Sequence, residues 1–332
     1  MKKIITLVCV AIVALVLAAC TPSGDVEITI AFVPSQNASQ ILTKTKALEA
    51  LLEDEIEGYN FKITVGTTYD AVVEGMLSGQ IQVGFLTAQQ YAAVTTENPG
   101  KVEVMLTSIR SGYNFQFDDE GNEITDEATL IAAINSPSYD GSVDATKPVS
   151  SYYSMLLVKD DSDIEEVADL AGKLVGTQAT TSGSGFVYPA VLLHEHNLSF
   201  VSGTPNAANG EVQYQTLASH PASIDALMND DVDAVFTFLD VRTQKLNDYP
   251  NIFTDTRVVA LTPGIYNDTI SVVKDMDPAL KTKLQNAFIE IAKTDVGKEA
   301  ISVYSHTGYM IATDSQYDGE RAVYLFKKNQ VS

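Results

Sequence analysis

The sequence predicts an α/β fold of two lobes, each a mostly parallel sheet flanked by helices, with a cleft between them. Three observations carry this expectation. A strand–helix–strand order opens the globular part of the chain. A weak repeat follows, in which the stretch from Tyr69 returns at His220, an offset of 151 positions. The 332 residues suffice for two separate cores.

The elements are taken in chain order. Lys2 and Lys3 precede an apolar run from Ile4 to Leu17, the length of a secretory leader and short for a bilayer span. It stops at Leu17-Ala18-Ala19-Cys20, which resembles a bacterial lipobox. That resemblance implies removal of residues 1–19 and acylation of Cys20, the alternative being an ordinary leader with a chance cysteine. Residues 20–25 then read as a lipid-anchored tether, with the protein on the extracytoplasmic face of the cell membrane. Cys9 leaves with the leader, so neither a disulfide nor a cysteine metal site is expected. Losing Lys2 and Lys3 takes the formal charge from −22 to −24. Such a surface argues against nucleic acid and against a polybasic membrane patch. An anionic ligand must then be held by local dipoles rather than by a global positive field.

Val26 to Val33 alternates as a strand does. Residues 40–56 carry Ile41, Leu48, Leu51, Leu52 and Ile56 at helical spacing, and Phe61 to Val65 is a second strand. The repeat aligns Val73 with Ile224, Met76 with Leu227, Ile81 with Val232 and Phe85 with Phe236. Each copy reads as a loop, an amphipathic helix, a turn and a short buried strand. Tyr69 and His220 both fall at the start of a helix that follows a strand, where open α/β sheets bind ligands. Residues 111–150 read as an insertion at the cleft rim, a surface elaboration or a lid, with Asp126 capping a short helix.

Tyr152 to Lys159 reads as a crossing strand, and Val258 to Leu261 as a candidate return. Lobe one is expected over 26–155, lobe two over 156–240, and the returning segment with C-terminal helices over 241–332. Asp277, Pro278 and the face of Leu280, Leu284, Ala287, Phe288 and Ile291 predict a helix over 277–293.

The stretch Thr180-Thr181-Ser182-Gly183-Ser184-Gly185-Phe186 has three readings: a flexible linker, a nucleophile turn, or an anion cradle. A strand before it and a helix after it fit the cradle, because the first amides of a helix are free and its dipole favours negative charge. Ser184 with His220 could mimic a hydrolase, but Ser182 stands where a nucleophile elbow needs glycine. The four histidines show no HExxH spacing.

These pieces, with Gly84 to Tyr91, Tyr152 to Val158 and Gly308 to Tyr317, resemble the phosphate/phosphite/phosphonate-binding proteins of ABC importers, within the type II periplasmic-binding-protein fold. The resemblance implies that Tyr69, Ser182, Ser184 and His220 contact a tetrahedral phosphorus oxyanion, His220 adding charge assistance if protonated. Gly183 stands where the family has threonine, and Thr181 is expected to supply the missing donor. Tyr152, Gln89 and Asp240 are expected to judge the substituent. The implied protein is a monomeric solute receptor that is not an enzyme, needs no cofactor or metal, and docks on a membrane permease absent from this chain. The rivals are a receptor for a sulfonate, another small anion or a thiamine-precursor pyrimidine, a surface-anchored serine hydrolase, and a structural or adhesive lipoprotein.

Overall fold

The computed structural model describes residues 26–330, residue 119 apart. The leader, Cys9, Cys20 and the rest of the tether lie outside the described residues. No helix among the described residues is long and apolar enough to cross a membrane.

Lobe one opens with β1 (Val26–Phe32), followed by α1 (Ala38–Thr45), α2 (Ala47–Glu55) and β2 (Tyr59–Val65). β1 and β2 are parallel and in register from Val26–Tyr59 to Phe32–Val65. The single helix expected over 40–56 is interrupted at Lys46. That residue keeps helical dihedrals (φ −55°, ψ −34°), so the chain direction holds and Ile41, Leu48, Leu52 and Ile56 all reach the core.

The first copy of the repeat forms α3 (Tyr69–Leu77) and β3 (Val83–Leu86), and Thr68 caps the helix by accepting from the Ala71 amide. Next come α4 (Ala88–Glu97), closed by a Thr87–Gln90 capping box, and β4 (Val102–Tyr113).

The insertion holds α5 (Glu127–Ile134), capped by Asp126 as expected, and β5 (Val143–Val149), which pairs antiparallel with β4. It is not a plain surface elaboration. Leu130 and Ile134 are buried in lobe two, and the Asn135 side chain bonds both backbone groups of Val258 at 2.8 Å. Gly141 has φ +74°, and a Cβ there would stand 2.5 Å from Thr243, so the backbone presses directly on lobe two.

The chain crosses at β6 (Ser151–Tyr152), enters lobe two with β7 (Ser154–Lys159) and continues through β8 (Leu174–Thr177), α6 (Tyr188–Glu195), β9 (Ser199–Val201) and β10 (Glu211–Thr216). The second copy of the repeat follows as α7 (His220–Met228), capped by Ser219, and β11 (Ala234–Phe238). Then come α8 (Ile252–Asp255), β12 (Thr256–Leu261), β13 (Ile265–Tyr266), β14 (Thr269–Val273), α9 (Pro278–Ile291), α10 (Asp295–Ile301), β15 (Gly308–Ile311) and α11 (Asp318–Gln330). Helix α9 buries the five residues expected of it.

The sheets are ordered β15-β4-β14-β3-β1-β2 and β12-β7-β11-β8-β10-β9. Both are mixed, and in the second sheet three of the five pairings are parallel. The strand–helix–strand halves are parallel, whereas the strands next to a crossing, β14 in lobe one and β7 in lobe two, run antiparallel to their neighbours. The return boundary differs from expectation. Residues 256–261 do not return to lobe one, because β12 pairs with β7 inside the second sheet. The return is made by β13, which pairs with β6, Ile265 against Tyr152, so both crossings run as one two-stranded ladder.

A third tie comes from α11. Glu320, 3% exposed, accepts at Oε2 from Gln89 (2.6 Å, lobe one) and at Oε1 from Tyr188 (2.8 Å, lobe two) and the Tyr266 amide (2.7 Å, the crossing). Burial holds its carboxyl above the ordinary value of 4.5, against the lowering effect of those hydrogen bonds. Between 4.5 and the raised value the folded chain binds more protons than the unfolded chain, so this group's contribution to stability falls as pH rises. Glu320→Gln is expected to flatten that part of the Tm-against-pH curve. A slope identical to that of the parent would mean that the carboxylate carries no burial penalty.

Candidate functional site

The carboxyl ends of β1, β3 and β11 and the starts of α3 and α7 meet between the lobes, where open sheets place ligands. There they line a small cavity of about 30 Å³. Tyr69, Tyr152, Ser182, Ser184 and His220 all line it, and all are buried. The lobes touch around it: the His220 amide donates to Ser35 O at 3.4 Å, and Thr181 Oγ1 donates to Asp70 Oδ1 at 3.2 Å.

The cradle forms because Ser182 caps a π-helical turn, Gly183–Val187, that runs into α6. Ser182 Oγ accepts from the Gly185 amide at 3.2 Å, which leaves its own proton to donate. Gly185 is obligatory, since a Cβ there would lie 2.4 Å from Gln178 Cβ. Gln178 in turn donates to Ser223 Oγ at 2.8 Å and so fixes the cradle against the histidine helix. The first amides of the turn lack intrahelical acceptors, as at any helix start.

His220 holds Thr237 Oγ1 at 2.9 Å through Nδ1 and meets the Phe238 ring edge-on at 4.9 Å. Burial, with Arg110 nearby, pushes its pKa down to about 3. Burial thus disfavours the imidazolium on which the expected charge assistance depends. Charged groups on the cavity wall are residues that sequence reasoning missed. Arg110 donates to Asp268 at 2.8 Å, and His306 Nε2 lies 3.3 Å from the same carboxylate. Although burial opposes it, those partners hold the Asp268 carboxyl below its ordinary range, while burial lowers His306 despite Asp268 beside it. Arg110 thus faces the cavity as a cation, stacked 4.3 Å from the Tyr152 ring centroid, and Asp268 faces it as an anion. Three buried polar atoms on the cavity wall have no partner: Tyr69 Oη, Gln36 Oε1 and Arg110 Nε. Such orphaned groups on a cavity wall are what a polar ligand satisfies.

Three expected residues spend their side chains elsewhere, and a fourth, Gly183, stands between two that line the cavity. Thr181 is half-buried and spends its hydroxyl on Asp70, so it does not replace a donor at position 183. A side chain at Gly183 would face Gln89 and Ile265, each 3.6 Å from a built Cβ, and not the cavity. Gln89 is buried against Glu320, on the lobe-to-lobe tie. Asp240 pairs with Arg242 (2.7 Å, both side chains 0% exposed) and accepts from Tyr139 Oη at 2.9 Å, while its amide donates to Tyr113 Oη at 2.7 Å. It anchors the insertion to lobe two instead of judging a substituent.

Comparison with known proteins gives a consistent result. A family model described as "ABC transporter, phosphonate, periplasmic substrate-binding protein" matches residues 30–317. The phosphate-import protein PhnD of Mycolicibacterium smegmatis is 24% identical over 333 residues, covering 94% of this chain and 92% of its own. A binding-protein component of an ABC phosphonate transporter from Pseudomonas aeruginosa aligns with a TM-score of 0.67 at 14% identity, over 92% of this chain and 87% of that one. PhnD1 of Prochlorococcus marinus, solved in complex with methylphosphonate, aligns with a TM-score of 0.66 at 15% identity, over 92% and 99%. At such identities the two structures show a shared periplasmic-binding-protein fold.

Proposed function

This chain belongs to the family of periplasmic substrate-binding proteins of phosphonate ABC transporters, and we propose that it captures a phosphorus oxyanion between its lobes and delivers it to a permease. The same reading places it as a monomer on the outer face of the membrane, tethered through acylated Cys20. The observation that supports it best is the convergence of Tyr69, the Ser182–Ser184 turn and His220, three distant stretches of the sequence, on one cavity.

In this reading the cradle hydroxyls and amides donate to the oxygens. Arg110 supplies one positive charge, and Asp268 requires a proton on the oxygen that faces it. A singly protonated phosphate or phosphonate meets that demand, and a fully ionised sulfonate does not. Ligand atoms that touch both lobes favour the closed form by their differential contacts.

Hydrogen bonds to a charged acceptor contribute about 1.5–3 kcal/mol each. Ser184→Ala and His220→Ala are therefore expected to weaken phosphate or methylphosphonate binding at least about tenfold, and to shrink the ligand-induced rise in Tm without lowering the ligand-free Tm much. Parent-like binding by both variants, measured calorimetrically, would place the ligand somewhere else.

A further inference from the structure

A second cavity of about 310 Å³ adjoins the first. The two share Arg110, Tyr152 and His306 as a common wall. The insertion supplies Tyr113, Val143 and Val149 to the second cavity, and the crossing and lobe two add Tyr153 and Leu239. Hydroxyls of Ser151, Thr243 and Thr307 are interspersed with these apolar groups. Among the described residues no acidic side chain lines it. The one acid on the other side of the shared wall, Asp268, is engaged by Arg110 and His306. The nearest acid in the insertion's anchor, Asp240, is engaged by Arg242.

We propose that this chamber receives the substituent of the solute, and that the solute is an organophosphorus anion carrying a bulky uncharged group. The inference rests on the oxyanion reading of the smaller cavity. The smaller cavity is the tighter of the two and would seat the tetrahedral head, and Arg110, Tyr152 and His306 set the larger one directly beside it as the nearest space for an attached group. The chamber is about twice the roughly 150 Å³ that encloses a benzene in a protein interior. Its walls are aromatic, aliphatic and hydroxylic, a lining that accepts neutral groups. Arg110 on the shared wall repels an ammonium, and no carboxylate in the lining of the larger cavity compensates it. The strongly acidic surface of this protein therefore does not translate into selectivity for aminoalkyl substituents.

The test is a calorimetric comparison of methylphosphonate, phenylphosphonate and 2-aminoethylphosphonate on the parent chain. Phenylphosphonate is expected to bind about tenfold or more tighter than methylphosphonate, and 2-aminoethylphosphonate no tighter than methylphosphonate. Thr307→Trp fills the chamber from an exposed position, and Ser151→Trp fills it from the crossing should the first variant fold poorly. Either is expected to remove the advantage of the phenyl group and leave methylphosphonate affinity unchanged. Equal affinity for phenyl and methyl compounds, preference for the ammonium, or an undiminished phenyl advantage in the filled variants overturns the chamber and leaves the oxyanion site standing. Binding of none of the three overturns both.

Discussion

Replacing Arg110 with methionine is expected to weaken phosphate and methylphosphonate binding by about 30-fold or more. The guanidinium is the cation of the cavity, and it is paired with a buried carboxylate. Truncating one member of a buried charge pair at a binding interface costs about 2–5 kcal/mol, much of it from the partner left uncompensated. Here that partner is Asp268, which would then repel the incoming anion from the cavity wall. His306 can recover part of the loss, since the missing cation no longer opposes its protonation. A fall in affinity that becomes smaller as pH drops is therefore part of the expected result. Arg110→Met combined with Asp268→Asn removes both charges. It should restore much of the Tm without restoring affinity, because replacing both members of a buried pair is often nearly neutral for folding. Calorimetry on the two variants, with thermal denaturation as the folding control, decides the matter. Parent-like affinity in Arg110→Met would remove the cation from the proposed mechanism.

The second large effect concerns Asp240, which acts on stability and not on ligand recognition. Asp240→Asn strands Arg242, the bulkiest fully buried side chain, without its counter-charge. Breaking such a pair costs about 3–5 kcal/mol, which corresponds to a fall in Tm of about 6–15 °C. The damage should extend to the insertion. Tyr113 and Tyr139 both bond Asp240, and the Arg242 guanidinium lies 4.8 Å from the Phe253 ring centroid. Hydrogen exchange is expected to rise first in residues 113–149, with oxyanion affinity unchanged below the new Tm. An unaltered Tm with lost binding would reverse this assignment and return Asp240 to the cleft.

The pattern of success and failure in reading this chain has a physical basis. Helix caps at Asp126 and Asp277 were legible, because a cap is decided by residues within three positions of each other. Tyr69 and His220 were legible for a related reason: each occupies the first turn of a helix that follows a strand, so local order places it at the carboxyl edge of a sheet. Ser182 and Ser184 shared that advantage. Arg110, Asp268 and His306 had no such local signature. Arg110 is a lone cation late in a long strand, and Asp268 and His306 stand just before β14 and β15. Those strands run antiparallel to β3 and β4, so their beginnings lie beside the cleft ends of their neighbours. Strand order and direction depend on pairings across more than 150 positions, which periodicity does not encode. The fates of Gln89 and Asp240 were hidden for the same reason, since their partners are Glu320 on the last helix and Arg242 with the insertion tyrosines.

By itself, then, the chain dictated what short-range chemistry can dictate: amphipathic helices, buried strands, their caps, a glycine-rich cradle at a helix start and two equivalent edges facing one another. Only the tertiary structure decided that the imidazole is buried against Thr237, that a buried arginine–aspartate pair stands on the cavity wall, and that a larger cavity without acidic side chains in its lining adjoins the smaller one. Protonation, ion pairing and cavity size are set by what surrounds a group in three dimensions, and those surroundings are assembled from residues that are distant in sequence.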